Sequence, residues 1–391
     1  MNAIHRTERL FDIDSHKYEF DANIILCETK DDGRFAVVLD KTAFFPEGGG
    51  QFADEGDIDG IKVEDVTEKD GIIYHIISSP LAQGSAVHGK VNGEVRFRRM
   101  QNHSGEHIVS GLIHKHFGYN NVGFHLGHED VTLDLDGYLD RDALNRIEDE
   151  ANRAIAENRP IKAYNPSPAE LSSISYRSKL DLTEGVRLVE IEGYDVCACC
   201  APHVNRTGEI GIIKLLDAIK YKGGTRIHML CGFDALEDYR ARYEAVSSIA
   251  AALSVKQSAL LDGFSRLQEE LDSKKAEIAL LNRRINDMTV DALPEDSRNI
   301  CIFTDTTDAL NMRHLLNKAV LKCQYLCGIF TGNDTDGYTF VIGRGSTSPD
   351  LKALAKDINS AISARGGGSS EMLQGRSSAD RATIKAFFDN L

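Results

Sequence analysis

The feature that most constrains this chain is a pair of short clusters of metal-binding side chains placed nearly a hundred residues apart. His103 and His107 stand four apart in MQNHSGEHIVSGLIHKHFG, where Ile108, Val109, Leu112 and Ile113 have helical spacing. That spacing predicts a helix with both imidazoles on one face, where they can grip one ion. The second cluster is Cys197-Ala-Cys199-Cys200-Ala-Pro-His203, in which Cys199 and His203 are again four apart. Two His from one element and a Cys and a His from another supply three or four donors soft enough for Zn2+. A fold that uses them together must bring the two elements face to face. Cys197 and Cys200 stay open as alternatives to Cys199. His103-Ser-Gly-Glu106-His107 also fits the inverted zinc-peptidase pattern H-x-x-E-H, with Glu106 as general base. Such a peptidase expects its third ligand from a downstream helical carboxylate, which the Cys/His cluster fits poorly.

Around these clusters the pattern changes several times. Up to about Val91, short apolar runs (YEFDANIILCE, RFAVVLDKTAFF, IKVEDVTEKDGIIYHII, SAVHGKVNG) alternate with Asp/Gly turns and suggest a small barrel or sandwich. GFHLGHEDVTLDLDG reads as a hairpin. LDRDALNRIEDEANRAIAENRP reads as a helix with Asp140 as N-cap and Pro160 as its stop. Strands return in IGIIKLLDAIKYKGGTRIHMLCG. Val246, Ala250, Leu253, Gln257, Leu260, Phe264, Leu267, Leu271, Lys274, Ile278, Leu281, Ile285 and Met288 follow four-three spacing, a heptad seam weakened at Gln257, Gly263 and Lys274 that suits either a coiled coil between chains or a helical hairpin packed within one chain. The last ninety or so residues alternate strand and helix as a compact α/β domain.

A length of 391 residues suits two to four domains. The expected fold is α+β and multidomain: a small β-barrel over residues 1–92, a two-layer α/β zinc-binding domain over 93–240, a helical or coiled-coil connector over 241–293, and a C-terminal α/β domain over 296–391. An apolar content of 42% excludes global disorder. No run approaches the roughly 20 apolar residues of a membrane helix. The N-terminus lacks an apolar signal core, so a cytoplasmic location is expected. The eight cysteines are too sparse for a disulfide scaffold.

One more motif carries weight. In Phe44-Phe45-Pro46-Glu47-Gly48-Gly49-Gly50-Gln51 the three glycines permit close backbone approach or left-handed turns. No Lys-Ser/Thr follows, so this is not a P-loop. Taken in order, Thr42 with this glycine-rich loop, His103-x-x-x-His107, and Cys199-x-x-x-His203 followed by Thr207-Gly208-Glu209-Ile210 resemble the editing domain of alanyl-tRNA synthetase and its free-standing relatives, the alanyl-tRNA editing (AlaX) proteins. Gly123-Phe124-His125-Leu126-Gly127, Thr132–Leu135 and Gly223-Gly224-Thr225-Arg226-Ile227 resemble the strands between and after the metal motifs. Arg365-Gly366-Gly367-Gly368-Ser369 and Leu373-Gln374-Gly375 resemble the glycine-rich end of the synthetase C-terminal domain. The resemblance covers nearly the whole chain and points to the large form of the family. One departure stands out: the usual Cys-Gly-Gly-Thr-His reads Cys199-Cys200-Ala201-Pro202-His203 here, which keeps the ligands and changes the loop between them.

The resemblance implies a trans-editing deacylase that hydrolyses the ester of Ser-tRNA(Ala), with Gly-tRNA(Ala) as a second substrate. It implies Zn2+ held by His103, His107, Cys199 and His203, either binding the substrate amine or polarising water. With all four donors bound, no tetrahedral position remains for that water. Gln51 would hydrogen-bond the ester or the terminal ribose, Thr42 would read the serine hydroxyl, and Glu106 would shuttle a proton unless it is merely an exposed helix carboxylate. The aminoacylation domain is not in the sequence, so no tRNA charging is expected. Two rivals remain, a tRNA-binding factor without catalysis and the inverted zinc peptidase.

The chain carries a net charge of −15, which excludes a general nucleic-acid coat but not a local docking surface. From Cys301 to the end, ten bases stand against nine acids, so that region is +1 and the rest −16. Arg344, Arg365 and Arg376, with Arg381, flank the glycine-rich stretch and suit phosphate contacts. Arg98 and Arg99 form a second basic cluster with Arg96, and Arg226 adds to it. Transfer RNA is thus the expected partner, and the seam and C-terminal domain make a homodimer plausible.

Overall fold

The structure is a computed structural model that describes residues 6–127, 131–178, 185–305 and 308–391. The chain divides into two compact units, Met1–Val246 and Ser247–Leu391. Among the described residues, no helix is long and apolar enough to cross a membrane.

In the first unit, six strands hydrogen-bond in a closed ring. Its order is Glu19–Thr29, Phe35–Leu39, Ile72–Ile77, Ile61–Lys69, Gly56–Ile58 and Ala86–Val91, which returns to the first. Ala86–Val91 alternates exposed and buried residues, the period of a strand with one face inward. Phe20, Ile24, Val37, Phe44, Ile58, Val66 and Ile77 fill the interior. Closure leaves no unpaired edge.

The barrel leads directly into the helix Gly93–Phe117. Asn92 caps its start by accepting from Val95 N–H, and Gly118, at φ 72°, ends it in the left-handed region. This helix and Arg141–Glu157 pack on an antiparallel sheet ordered Ile213–Tyr221, Gly224–Cys231, Val131–Leu135, Asn121–Leu126. Ile108, Val109, Leu112, Leu133, Ile147, Ile227 and Met229 share one core. A small sheet of Ile161–Tyr164, Leu188–Ile191 and Asp195–Ala198 borders it. Asp140 caps the second helix through Ala143 N–H. That helix ends at Asn158, φ 49°, two residues before the expected Pro160 stop, because Asn tolerates the left-handed cap. The connection of the expected hairpin, residues 128–130, lies outside the described residues.

The second unit contains a five-stranded sheet ordered Ser297–Phe303, Cys323–Asn333, Gly337–Arg344, Met372–Ser377, Ala364–Gly368. Helices Ala309–Ala319, Leu351–Ala361 and Arg381–Asp389 accompany it. The heptad seam is not continuous. One helix spans Gly232–Ala252 and the next Leu260–Asp291, and Ser254, at φ 53°, breaks the path between them. Gln257, a weak seam position, falls in that break. The expected boundary at 240/241 lies inside the first of these helices.

Candidate metal centre and cavity

From Met100 to Ile113 the helix Gly93–Phe117 is buried on all sides, polar residues included. A buried polar group needs a partner, and each here has one. Gln101 bonds Glu209 O at 2.9 Å, Asn102 bonds Asp234 at 2.6 Å, and Arg177 donates to Ser110 at 2.7 Å. His103, Ser104, Glu106 and His107 take partners that build a site.

His103, His107, Cys199 and His203 converge, with one donor atom from each lying within 4.8 Å of the others. Cys199 Sγ is 3.5 Å from His103 Nε2 and 3.4 Å from His203 Nε2. Zinc bonds of about 2.3 Å to sulfur and 2.0–2.1 Å to nitrogen, at the tetrahedral angle, put S and N about 3.6 Å apart. The two sulfur–nitrogen edges given by Cys199 thus match those of a zinc tetrahedron. Each imidazole is also turned by its other nitrogen. His103 Nδ1 bonds Gln51 Oε1 at 3.0 Å, His107 Nδ1 bonds Asp195 Oδ2 at 2.9 Å, and His203 Nδ1 bonds the Ser104 hydroxyl at 3.1 Å. The Gln51 and Asp195 oxygens are acceptors, so they draw the Nδ1 protons of His103 and His107 and turn Nε2 of each toward the group.

The electrostatics agree at Cys199 and His203, whereas at His107 burial is outweighed by the Asp195 and Cys199 bonds, which raise its pKa well above the usual histidine value. Burial opposes ionisation of Cys199, but His103 and His203 outweigh it and bring the thiol well below its usual range. Burial holds His203 neutral, with a pKa of about 3. Cys197 and Cys200 move the other way, each pushed by burial to about 11, so both stay thiols. Cys199 is the thiol that the four-donor group contains. Its loop is held by Arg187, whose guanidinium donates to Cys199 O and Ala201 O at 3.0 Å each.

The group opens on a cavity of about 830 Å³, whose walls include His103, Glu106, Phe124, Arg177 and Cys200. Glu106 is buried rather than an exposed helix carboxylate, and Asn121 Nδ2 donates to it at 2.6 Å. Gly49 and Gly50 also line this cavity, at φ 63° and 83°. A Cβ on Gly50 would stand 2.7 Å from Phe124 O, so only glycine fits there. Gly48 closes the loop with Gln51 through two 3.0 Å backbone bonds. Gln51 is itself buried, and its Nε2 has no partner.

The other expected residues are not brought here. Thr42 lies in the barrel core, its hydroxyl bonded to His75 Nε2 at 2.8 Å and to Phe44 N at 3.1 Å. Arg98 is neutralised by Asp234 at 2.8 Å and Glu237 at 2.5 Å. Arg99 pairs with Glu55 at 2.7 Å, and Arg226 with Asp134 at 2.6 Å. Arg96, grouped with them in sequence, is fully buried against Asp54. In the second unit Arg344 pairs with Glu371 at 3.0 Å. Arg365 and Arg376 are exposed and face each other across neighbouring strands.

Sequence reasoning missed Asp195, Arg177 and Ser104. Asp195 accepts from His107 and twice from Arg177, at 2.8 Å each time. A signal existed: metal-binding His residues favour a carboxylate partner, and Asp195 lies two residues before Cys197.

Comparison with known proteins adds a family context. Residues 186–228 match the family model described as the second additional domain of threonyl and alanyl tRNA synthetases, and residues 16–95 match that of class II (A) tRNA synthetases. The alanyl-tRNA editing protein AlaX-L of Pyrococcus horikoshii is 28% identical over 94% of this chain and 94% of its own length. The alanine–tRNA ligase of Ignicoccus hospitalis is 32% identical over 71% of this chain, and that of Methanopyrus kandleri 28% over 94%. The chain spans only 32% and 42% of those two ligases.

Proposed function

Because the chain belongs to the large form of the alanyl-tRNA editing family, we propose that it is a zinc-dependent deacylase of mischarged tRNA(Ala). Its main substrate is Ser-tRNA(Ala), and Gly-tRNA(Ala) is secondary. The observation that carries this reading is the four-donor group with every Nδ1 already engaged, opening on a cavity beside a buried carboxylate. The donor set fits Zn2+ in number, softness and spacing. When bound, the ion supplies a positive charge that favours the substrate's amine or carbonyl oxygen.

The chain's own residues do the rest. Glu106, fixed by Asn121, takes a proton from a water beside the ester carbonyl and returns it to the leaving ribose hydroxyl. An aminoacyl ester is already activated, so holding water and carbonyl together lowers much of the barrier. Asp195, itself held by Arg177, orients His107. Gln51 orients His103 and keeps an amide donor free for the substrate. Thr42, bonded to His75 and Phe44 N, supports the loop from within the barrel.

The C-terminal unit docks the tRNA backbone. Like charges directly opposite in a sheet are unfavourable, so Arg365 and Arg376 gain from a phosphate between them. The exposed seam of Phe264, Leu267, Leu271, Ile278, Leu281 and Ile285 suits a second copy of the chain. A dimer in sedimentation that Leu271→Glu dissociates would support that assignment.

The deciding experiment is hydrolysis of Ser-, Gly- and Ala-tRNA(Ala) with and without a chelator. Turnover of Ser-tRNA(Ala) that the chelator abolishes is expected. Tight binding without turnover would instead establish the non-catalytic tRNA-binding factor. Cys199→Ala separates out the peptidase, which predicts that metal and activity survive this substitution.

A further inference from the structure

Gln51 and His103 reach their 3.0 Å contact from two separate pieces of the first unit, the barrel loop and the helix Gly93–Phe117. Their alignment depends on how that loop is fastened to that helix. The fastening is polar and fully buried. Arg96 is 0% exposed and its Asp54 partner 1%. Arg96 Nε donates to both Asp54 oxygens at 2.8 and 2.9 Å, and Nη2 also reaches Asp54. The same guanidinium donates to Ala43 O at 2.6 Å and to Ser15 O at 3.1 Å.

Asp54 closes the glycine-rich loop at its base. Its carboxylate accepts from Phe45 N at 2.6 Å, and its own N–H donates to Phe45 O at 2.9 Å. Everything from Phe45 to Asp54, with Gln51 inside, therefore moves with that carboxylate. Arg99, one turn on from Arg96, adds a bond to Ala53 O at 2.7 Å. Arg96 lies seven residues before His103, so the two project from one face of the helix two turns apart. Asp54 lies three residues after Gln51. The pairs Arg96–Asp54 and His103–Gln51 form two rungs between the same two rails.

We propose that Arg96 and Asp54 are positioning residues that set the register of the glycine-rich loop against the metal-binding helix. Through it they fix the Gln51–His103 hydrogen bond and the direction of His103 Nε2. Stability alone does not account for such a pair. A buried ion pair can often be replaced by apolar residues of similar volume without loss of stability, whereas removing one partner is costly. What the forked guanidinium adds is direction, since it bonds two backbone carbonyls and one carboxylate at fixed angles.

That contrast supplies the test. The double variant Arg96→Met/Asp54→Leu in the full chain removes both charges together and is expected to fold with a lowered thermal midpoint, because Phe45 N–H, Ala43 O and Ser15 O lose these bonds. Arg96→Lys, which keeps the charge and loses the fork, is the second variant and carries the test if the double variant does not fold. Three readouts apply. The His103 Nδ1–H signal in 15N-histidine NMR spectra of the metal-free protein should broaden or vanish. The visible spectrum of the Co2+-loaded protein should shift. For Ser-tRNA(Ala), kcat should fall about tenfold to a hundredfold while KM stays nearly constant. Wild-type NMR and cobalt spectra in a folded variant would overturn the proposal. The kinetic arm alone rests on the deacylase reading: an inactive wild-type protein would overturn that reading, while the two spectroscopic arms would still decide the role of Arg96.

Discussion

Asp195→Asn replaces one oxygen by an amide and is the most telling single change in the candidate metal centre. The Asp195 side chain is 2% exposed and receives His107 Nδ1–H at 2.9 Å and two Arg177 donors at 2.8 Å. Two consequences have different sizes. Loss of a carboxylate behind a metal-binding histidine weakens metal affinity about 10–100-fold, or about 1.4–2.7 kcal/mol. Arg177 also loses its counter-charge. Its side chain is 16% exposed, so the cost to the metal-free fold falls below the roughly 3–5 kcal/mol of a fully buried broken pair, at about 2–3 kcal/mol. Competition against a chromogenic zinc chelator measures the first, and urea unfolding of the metal-free protein the second. Arg177→Met separates them, since it should destabilise the fold while leaving His107 its acceptor and most of its affinity. An Asp195→Asn protein that binds zinc within about twofold of the wild type would refute the claim that Asp195 sets the His107 tautomer.

Further outcomes follow from the same geometry. Glu106→Gln should lower kcat for Ser-tRNA(Ala) about 10²–10⁴-fold and leave the zinc content of the purified protein unchanged, which separates a proton carrier from a ligand. His75 is fully buried and burial depresses its pKa to about 4. The unfolded chain therefore takes up this proton first. Its contribution is complete above about pH 6.5, declines as pH falls toward 4, and totals about 3 kcal/mol. Urea unfolding of wild type and His75→Gln between pH 7 and 4 should show that difference shrinking with acid. Arg365→Ala with Arg376→Ala should raise KM for charged tRNA, reduce its salt dependence by about one phosphate contact per arginine, and spare kcat. An unchanged KM would remove that hairpin from the RNA surface.

The histidine pair was legible because one number, four residues, converts directly into one helix face. The Cys199–His203 cluster was legible by composition. Sequence could not show which charges point inward. Arg96, Arg98 and Arg99 read as one basic surface, yet Arg96 is enclosed by a barrel loop, and Arg98 and Arg99 spend their charge on acids 40 to 140 positions away. Glu106 read either as a proton shuttle or as an exposed helix carboxylate, and sequence could not choose, because the burial of its helix on every side from Met100 to Ile113 comes from distant elements. Thr42 carried a family resemblance into the barrel core, where its hydroxyl satisfies His75. The seam is divided between two helices at a single left-handed residue, Ser254, which periodicity does not detect.

The partners of the three imidazoles come from distant parts of the chain. Gln51 and His103 are 52 positions apart, Asp195 and His107 88, and Ser104 and His203 99. Closing such long loops is slow and costs chain entropy before any bond compensates. The four donors therefore converge only after barrel, helix and small sheet have met, and on the proposed zinc reading metal capture is a late step of folding. In refolding, quenching of a zinc-sensitive dye should lag behind recovery of helical circular dichroism, so that a loaded ion certifies a finished first unit.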